Sequence, residues 1–152
     1  MSKRRNIAFN ASGFKEAANH LNKLISKNGA TLLEYGPAYT TNLSLSCELY
    51  LKALLCDDTT GHSLVSLFEK VDDSIKKSII RNYENKCEGY NKRSKFSYDF
   101  KTLDECLKEY DKAFEDWRYY YEGNKKSNLL GGLDLSILID CIEEEVDKLE
   151  EL

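Results

Sequence analysis

The sequence predicts an all-α fold, an up-and-down helical bundle of four long helices with one or two shorter helices. Apolar residues recur at helical spacing in six stretches, and no stretch shows the alternation that is typical of a β-strand. Polar and glycine-containing segments separate these stretches and join neighbours that are expected to run antiparallel. The chain has 152 residues, of which 41% are hydrophobic, so it is long enough to bury one core as a single domain over 1–152.

The first two helices are predicted to flank a turn near Asn28. Ser12 is expected to cap the first helix, and the basic residues 1–11 before it are predicted to be a flexible N-terminus. Pro37 fits the first position of the second helix, where its missing N–H costs nothing, and this helix is expected to reach about Cys56. Apolar residues cover most of its circumference, which predicts that it is the central helix.

Two further helices are predicted in the middle of the chain. A short one, capped by Ser63, is expected over 63–71, and Asp72 or Asp73 is expected to cap the next, which ends around Gly89. The stretch 89–99 has no apolar period and is predicted to be a loop. It is longer than most connections in a helical bundle, and long ordered loops are often functional.

The clearest helical pattern covers 100–122. One stripe with spacings of three and four residues runs along it: Leu103, Leu107, Tyr110, Phe114, Trp117 and Tyr121. A polar turn and the pair Gly131 and Gly132 interrupt the pattern. The last helix follows, and its apolar face contains Leu135, Leu138, Ile142, Leu149 and Leu152.

Composition excludes several classes of protein. No apolar run approaches the roughly 20 residues that cross a bilayer, and no apolar signal-peptide region follows the basic N-terminus, so we expect a cytoplasmic protein. The five cysteines are widely spaced and are expected to behave as small buried residues. The two histidines, His20 and His62, lie 42 positions apart, and no pair of cysteines has zinc-ligand spacing. We therefore expect no metal and no cofactor.

The net charge of −4 is unevenly distributed. Residues 133–152 contain eight acidic side chains against one lysine, whereas 75–101 contain eight basic side chains against three acidic ones. Five aromatic residues lie within that basic stretch, which includes Lys92, Arg93 and Lys95. Cations and aromatic rings together are typical of single-stranded nucleic acid binding, although a solvated helix and loop would show the same pattern.

Polar residues on the apolar second helix are a second candidate site: Asn42, Ser46, Glu48 and Lys52. Glu48 and Lys52 are spaced i, i+4 with the acid first, the favourable order for an ion pair. They form either an exposed strip on the helix or the lining of a cleft. His62, at the entrance to the third helix, either satisfies free backbone donors there or acts as a general base, because histidine side chains exchange protons near neutral pH.

The end of the fifth predicted helix carries a similar arrangement. Arg118 and Glu122 are spaced i, i+4 among aromatic residues, and Lys125 and Lys126 follow in the polar turn. A guanidinium flanked by rings is suited to holding a phosphate or a stacked base. Alternatively, Arg118 pairs with Glu122 or Glu48 inside the bundle.

Three segments together resemble the HEPN superfamily, the higher eukaryotes and prokaryotes nucleotide-binding domains. They are the helix at 42–55 with its E-L-x-L-K-A-L-L pattern, the G-H-x-L entry at 61–68, and the W-R-Y-x-Y-E pattern within 114–122. The resemblance covers roughly 12–122 and implies an all-α bundle that often forms a homodimer.

Many members of this superfamily are metal-independent ribonucleases that act as toxins or in phage defence, and others bind RNA or nucleotides without cleavage. The nucleases carry Arg-x4-His, in which histidine handles the proton of the ribose 2′-OH and arginine steadies the phosphate. In this chain Arg118 matches the arginine, but Gly123 occupies the histidine position.

Three functions are therefore open. The first is a HEPN-like protein that binds RNA or nucleotide with a degenerate nuclease motif, beside a toxin–antitoxin or phage-defence partner. The second is a metal-independent ribonuclease with a rearranged site of Arg118, Glu48 and His62. For either function, the residues expected to bind RNA or nucleotide are Arg118, Glu122, Lys52, Asn42, Lys125, Lys126, Lys92, Arg93 and Lys95. The third is a homodimeric interaction module, which predicts an exposed apolar face on the last helix.

Overall fold

The structure, a computed structural model, describes residues 1–27, 32–56, 60–111 and 132–151. Helices make up 82% of these residues, and strands are not found among them. The helices in this part of the chain are α1 (Lys3–Lys27), α2 (Leu32–Leu55), α3 (Leu64–Glu69), α4 (Asp73–Arg93), α5 (Leu103–Tyr110) and α6 (Leu133–Glu150). The predicted all-α fold class is thus confirmed.

Two helices form the centre of the core. α2 packs against α1, α3 and α6, while α6 packs against α1, α2, α4 and α5. The prediction that α2 is strongly enclosed is confirmed, since Leu43, Cys47, Tyr50, Leu51 and Ala53 are buried. α6 buries a comparable set: Leu135, Ile137, Leu138, Ile139, Cys141, Ile142 and Val146. The apolar face of α6 therefore lies inside the chain, and the exposed face that an interaction module predicts is wrong for the described part of this helix.

α1 begins at Lys3, nine residues before the predicted cap at Ser12. Residues 3–11, which were predicted to belong to a flexible N-terminus, are therefore helical. Ile7 packs against the core and Ala11 is fully buried, so the apolar stripe starts earlier than the sequence reading placed it. Arg4 adds a tertiary anchor, because its Nε donates to the carbonyl oxygen of Ala53 at 3.0 Å.

α2 also begins earlier than predicted, and Pro37 lies inside it rather than at its first position. A proline inside a helix removes one i→i−4 hydrogen bond, and its ring clashes with the carbonyl four residues earlier, whereas in the first turn the missing N–H costs nothing. Pro37 falls in the second turn, and the first turn carries Glu34, whose charge suits the positive end of the helix dipole. The C-terminal boundary is as predicted, since α2 ends at Leu55 and Cys56 takes a left-handed backbone with φ of 50°.

α4 continues through Gly89 to Arg93, so the predicted end near Gly89 is wrong and the predicted loop at 89–99 is half helical. A contact with the segment that follows the helix accounts for the extension. Asn91 Nδ2 donates to the carbonyl of Tyr98 at 2.9 Å, and its Oδ1 accepts from the Tyr98 backbone N–H at 2.7 Å. The last turn of α4 is therefore fastened to the segment that follows it.

α5 begins at Leu103 rather than at Phe100, because Thr102 and Glu105 form a reciprocal capping box. Thr102 Oγ1 accepts from the Glu105 backbone N–H at 3.2 Å, and Glu105 Oε2 accepts from that of Thr102 at 3.1 Å. The rest of the helix predicted over 100–122, and the turn after it, lie outside the described residues. In the described parts of the chain, none of the helices is both long and apolar enough to cross a membrane.

Candidate functional site at Glu48 and His62

Glu48 is an acidic side chain on the buried face of α2, and only 9% of its side-chain surface is exposed. Lys52 lies one turn later, and its Nζ donates to Glu48 Oε1 at 2.8 Å. The predicted i, i+4 pair thus exists, but it is largely enclosed and does not form an exposed strip. A carboxylate in this position must be compensated by donors, because an unpaired buried charge strongly destabilises a fold.

His62 supplies the second donor to Glu48, although it is 14 positions away in sequence. Its Nδ1 lies 3.0 Å from Oε1 and 3.2 Å from Oε2 of the same carboxylate. The preceding residue makes this approach possible, since Gly61 has φ of +124°, a backbone conformation that L side chains rarely adopt. The turn into α3 therefore directs the imidazole back towards α2.

The backbone donors at the start of α3 are satisfied by other residues. Ser63 caps the helix as predicted, with its Oγ accepting from the Ser66 N–H at 3.2 Å. Asp111 Oδ1 accepts from the Val65 N–H at 3.0 Å and from Ser63 Oγ at 2.8 Å. The alternative in which the His62 ring serves these donors is therefore wrong, because its hydrogen bond is made to Glu48.

The geometry of this pair defines what it is able to do. An ionised carboxylate only accepts hydrogen bonds, so Nδ1 of His62 donates to Glu48, and in a neutral ring with this tautomer Nε2 carries the lone pair. The His62 side chain is 81% exposed, whereas its partner is nearly buried. The result is an imidazole whose orientation and tautomer are fixed from one side while the ring remains accessible to solvent. This arrangement is suited to proton transfer at Nε2.

Two other polar residues of α2 are used within the fold. Asn42 Nδ2 donates to the carbonyl of Ala38 at 2.7 Å, one turn back along its own helix. Ser46 is fully buried, and its Oγ donates to the carbonyl of Ala11 at 2.9 Å, which joins α2 to α1. Both side chains are thus engaged in helix contacts, and neither is directed at His62 by the bonds it makes.

Sequence reasoning missed Ser44, which lies one turn before Glu48 on α2. It is 5% exposed, and its Oγ is the one buried side-chain polar atom for which the described residues provide no hydrogen-bond partner. Its position in an apolar run, with the spacing of a core residue, gave no signal in the sequence.

The remaining predicted residues fall into two groups. Arg118, Glu122, Lys125 and Lys126 lie outside the described residues. Lys92 and Arg93 form the last turn of α4, and Lys95 follows in the connection to α5. Lys92 makes an exposed ion pair with Glu88 at 2.9 Å, and Lys95 is exposed.

Four of the five cysteines are buried thiols. Cys47, Cys87, Cys106 and Cys141 are buried, and burial raises the pKa of Cys47 to about 12, so this thiol remains protonated at neutral pH. Burial likewise raises the pKa of Cys141 to about 12. Within the described ranges, no group of three or more His, Cys, Asp or Glu side chains is arranged to hold a metal ion.

Comparisons of this chain with models of protein families, with curated proteins and with solved structures found no match.

Proposed function

We propose that this chain is a HEPN-like helical protein that binds RNA or nucleotide, with a degenerate nuclease motif and a role beside a toxin–antitoxin or phage-defence partner. One observation carries the proposal: the hydrogen bond between His62 Nδ1 and Glu48. These residues come from two separate segments of the HEPN resemblance, and a nearly buried carboxylate orients an exposed imidazole.

The bundle arrangement belongs to the same proposal. α1 and α2 pack along each other, and only residues 28–31 separate them in sequence. So short a connection favours antiparallel neighbours. We propose that α1, α2, α4 and α6 form the up-and-down bundle of long helices and that the protein acts as a cytoplasmic homodimer.

A second candidate, a metal-independent ribonuclease with a rearranged site, is favoured by the exposure of the oriented ring. In this proposal Nε2 of His62 accepts the proton of a ribose 2′-OH, Glu48 stabilises the imidazolium that forms, and Arg118 holds the phosphate. His62 then performs the proton transfer for which the family's nucleases use the residue that is Gly123 here.

Labelled RNA incubated with the protein in EDTA tests both candidates. The set compares the wild type with His62→Ala, Glu48→Gln and Arg118→Ala, and the exposed His20→Ala is the matched control. Binding is followed by fluorescence anisotropy over a series of salt concentrations, because phosphate-driven binding weakens steeply as salt rises.

The outcomes separate the candidates. Cleavage that is lost in His62→Ala and Arg118→Ala and retained in His20→Ala supports the ribonuclease. Salt-dependent binding without cleavage, weakened by Arg118→Ala, supports the non-catalytic protein. Absence of both binding and cleavage at low salt contradicts both.

A further inference from the structure

The connection between α4 and α5 exposes a phenylalanine. Phe96 is 81% exposed, the largest value among the exposed large apolar residues of the described chain. Burial of a side chain of this size stabilises a fold, and the exposed Phe96 does not contribute that stabilisation. Phe96 lies inside the continuous described range 60–111.

The backbone that carries Phe96 is held by specific contacts. The Asn91 side chain forms hydrogen bonds with both the N–H and the carbonyl of Tyr98, so it joins the two ends of the segment 91–98. The Ser94 N–H donates to the carbonyl of Tyr90 at 2.9 Å, and the Phe96 N–H donates to Ser94 Oγ at 3.3 Å.

Aromatic contacts hold the base of the same segment. The ring centroid of Phe100 lies 4.6 Å from that of Tyr98 and 5.6 Å from that of Tyr90. The segment is thus ordered on both sides of Phe96, and its ring is presented to solvent from a fixed backbone.

The charge around this ring is positive. Lys92, Arg93 and Lys95 lie within four positions of Phe96, and over the same range, 92–100, Asp99 is the one acidic residue. The Arg93 guanidinium lies over Gly89, where an added Cβ would be 3.2 Å from Nη1. Lys92 is paired with Glu88, but both side chains are more than half exposed, so this pair is weak and readily exchanged.

We infer that the turn over residues 92–96, which is enclosed by the hydrogen bonds between Asn91 and Tyr98, contacts single-stranded RNA. Phe96 stacks on an unpaired base, and Lys92, Arg93 and Lys95 neutralise the adjacent phosphates. An exposed ring beside three cations matches a polyanion that carries flat apolar faces, and the bases of a duplex offer no such face. The inference rests on the proposed RNA-binding function and names the chemistry of its contact.

The experiment measures the anisotropy of a labelled 12-nucleotide RNA of mixed sequence, single-stranded and as its duplex. Phe96→Ala is expected to weaken single-strand binding roughly ten- to a hundredfold, since one base stacked on an aromatic ring contributes about that much. Phe96→Trp is expected to retain binding, and Phe96→Leu to lose it, because leucine is apolar but has no ring on which a base stacks. Phe9→Ala is the matched control, since Phe9 is also exposed, at 57%, but lies on α1.

The cations are tested by salt dependence. Lys95→Gln is expected to reduce the slope of log K against log salt by about 0.7, the value for one phosphate contact with a single strand. Because Phe96 is so exposed, its variants are expected to keep the thermal midpoint of the wild type, which circular dichroism checks.

Each contrary outcome has a distinct meaning. If the wild type binds no RNA at low salt, the proposed function is wrong and this inference with it. If the wild type binds but Phe96→Ala or Phe96→Leu binds equally well, only the inference is wrong. If Phe96→Ala loses binding to vesicles of anionic lipid and keeps its RNA affinity, the turn is a membrane contact and the inference is again overturned.

Discussion

At the scale of single residues, two buried serines of α2 are expected to differ in their effect on stability, because only one of them has a hydrogen-bond partner among the described residues. Ser46 Oγ donates to the carbonyl of Ala11, whereas Ser44 Oγ is buried without a hydrogen-bond partner among the described residues. We expect Ser46→Ala to lower the free energy of unfolding by about 1 kcal/mol, the net contribution of one buried hydrogen bond. Ser44→Ala is expected to leave it unchanged or raise it by up to about 1 kcal/mol, because the substitution removes an unsatisfied hydroxyl from a helix.

Urea unfolding at pH 7 measures both serine variants. A loss for Ser44→Ala as large as that for Ser46→Ala would contradict the account, since it would require a hydrogen-bond partner for the Ser44 hydroxyl.

The partners in the Glu48 and His62 pair are expected to differ in their effect on stability. Glu48→Gln leaves Lys52, whose side chain is 18% exposed, without its carboxylate, so we expect the free energy of unfolding to fall by about 1–3 kcal/mol. His62→Ala is expected to change it by less than about 0.5 kcal/mol, because the ring is mostly in solvent. Thermal and urea unfolding of both variants check this. An equal loss in His62→Ala would indicate that the imidazole serves stability.

At the scale of elements, Gly89 is where the predicted end of α4 differs from the observed one. It was expected to end α4, yet it lies inside the helix. A glycine in a helix interior is less favourable than alanine by about 0.5–1 kcal/mol. An alanine Cβ would come within 3.2 Å of Arg93 Nη1, which is the far end of a flexible, exposed side chain and moves at little cost.

We therefore expect Gly89→Ala to raise the free energy of unfolding by about 0.5–1 kcal/mol, as measured by urea unfolding. Gly61→Ala is the matched control, and it is expected to destabilise because φ at Gly61 is +124°. A destabilised Gly89→Ala would show that the Arg93 guanidinium is fixed in its place over the glycine.

The helix boundaries also show which parts of the fold were predictable from sequence. Local signals were sufficient where the cap is a side chain next to the helix, as with Ser63 at α3, or where the apolar period is long, as in α6. They were insufficient where a contact with a residue outside the helix sets the boundary. Arg4 reaches Ala53 and extends α1, while Asn91 reaches Tyr98 and extends α4, and neither pairing has a sequence pattern.

The same distinction applies to the candidate site. The i, i+4 pair of Glu48 and Lys52 was predictable because helix geometry alone brings the two side chains together. The contact of His62 with Glu48 was not, since it depends on the packing of α3 against α2 and on the backbone at Gly61.

At the scale of the whole molecule, the acidic α6 is compensated by cations from other helices. Lys15 of α1 pairs with Asp140 at 2.8 Å and with Glu143, and Lys86 of α4 pairs with Glu144. Arg4 and Ser2, at the start of α1, contact Glu150 in the last turn of α6. The acidic side chains of the C-terminal segment therefore form contacts between helices, and these contacts hold α6 against α1 and α4.

Asp147 is only partly compensated, since Lys15 lowers its pKa but the opposing effects are larger. Burial raises its pKa above the ordinary value, and so do the nearby charges of Glu143 and Glu151, which lie one turn before and after it. Because the folded-state pKa is raised, ionised Asp147 destabilises the fold at pH 7, and this penalty disappears as the pH falls through that pKa. The pKa of Glu144 is shifted in the opposite direction, because its hydrogen bond with Lys86, aided by that with Asn82, lowers it. The stability that Glu144 contributes is present above its unfolded pKa and is lost as the pH falls through the folded one.

Asp147→Asn is accordingly expected to stabilise the protein at pH 7 by roughly 0.5 kcal/mol, because it removes two like-charge i, i+4 contacts from the helix surface. Glu144→Gln is expected to destabilise by a similar amount at the same pH. Thermal unfolding at pH 7 in low and high salt checks the pair, and both effects are expected to shrink as salt rises. A thermal midpoint of Asp147→Asn below that of the wild type in low salt would mean that the Asp147 carboxylate has a favourable partner. Repulsion from Glu143 and Glu151 would then not explain why its pKa is raised.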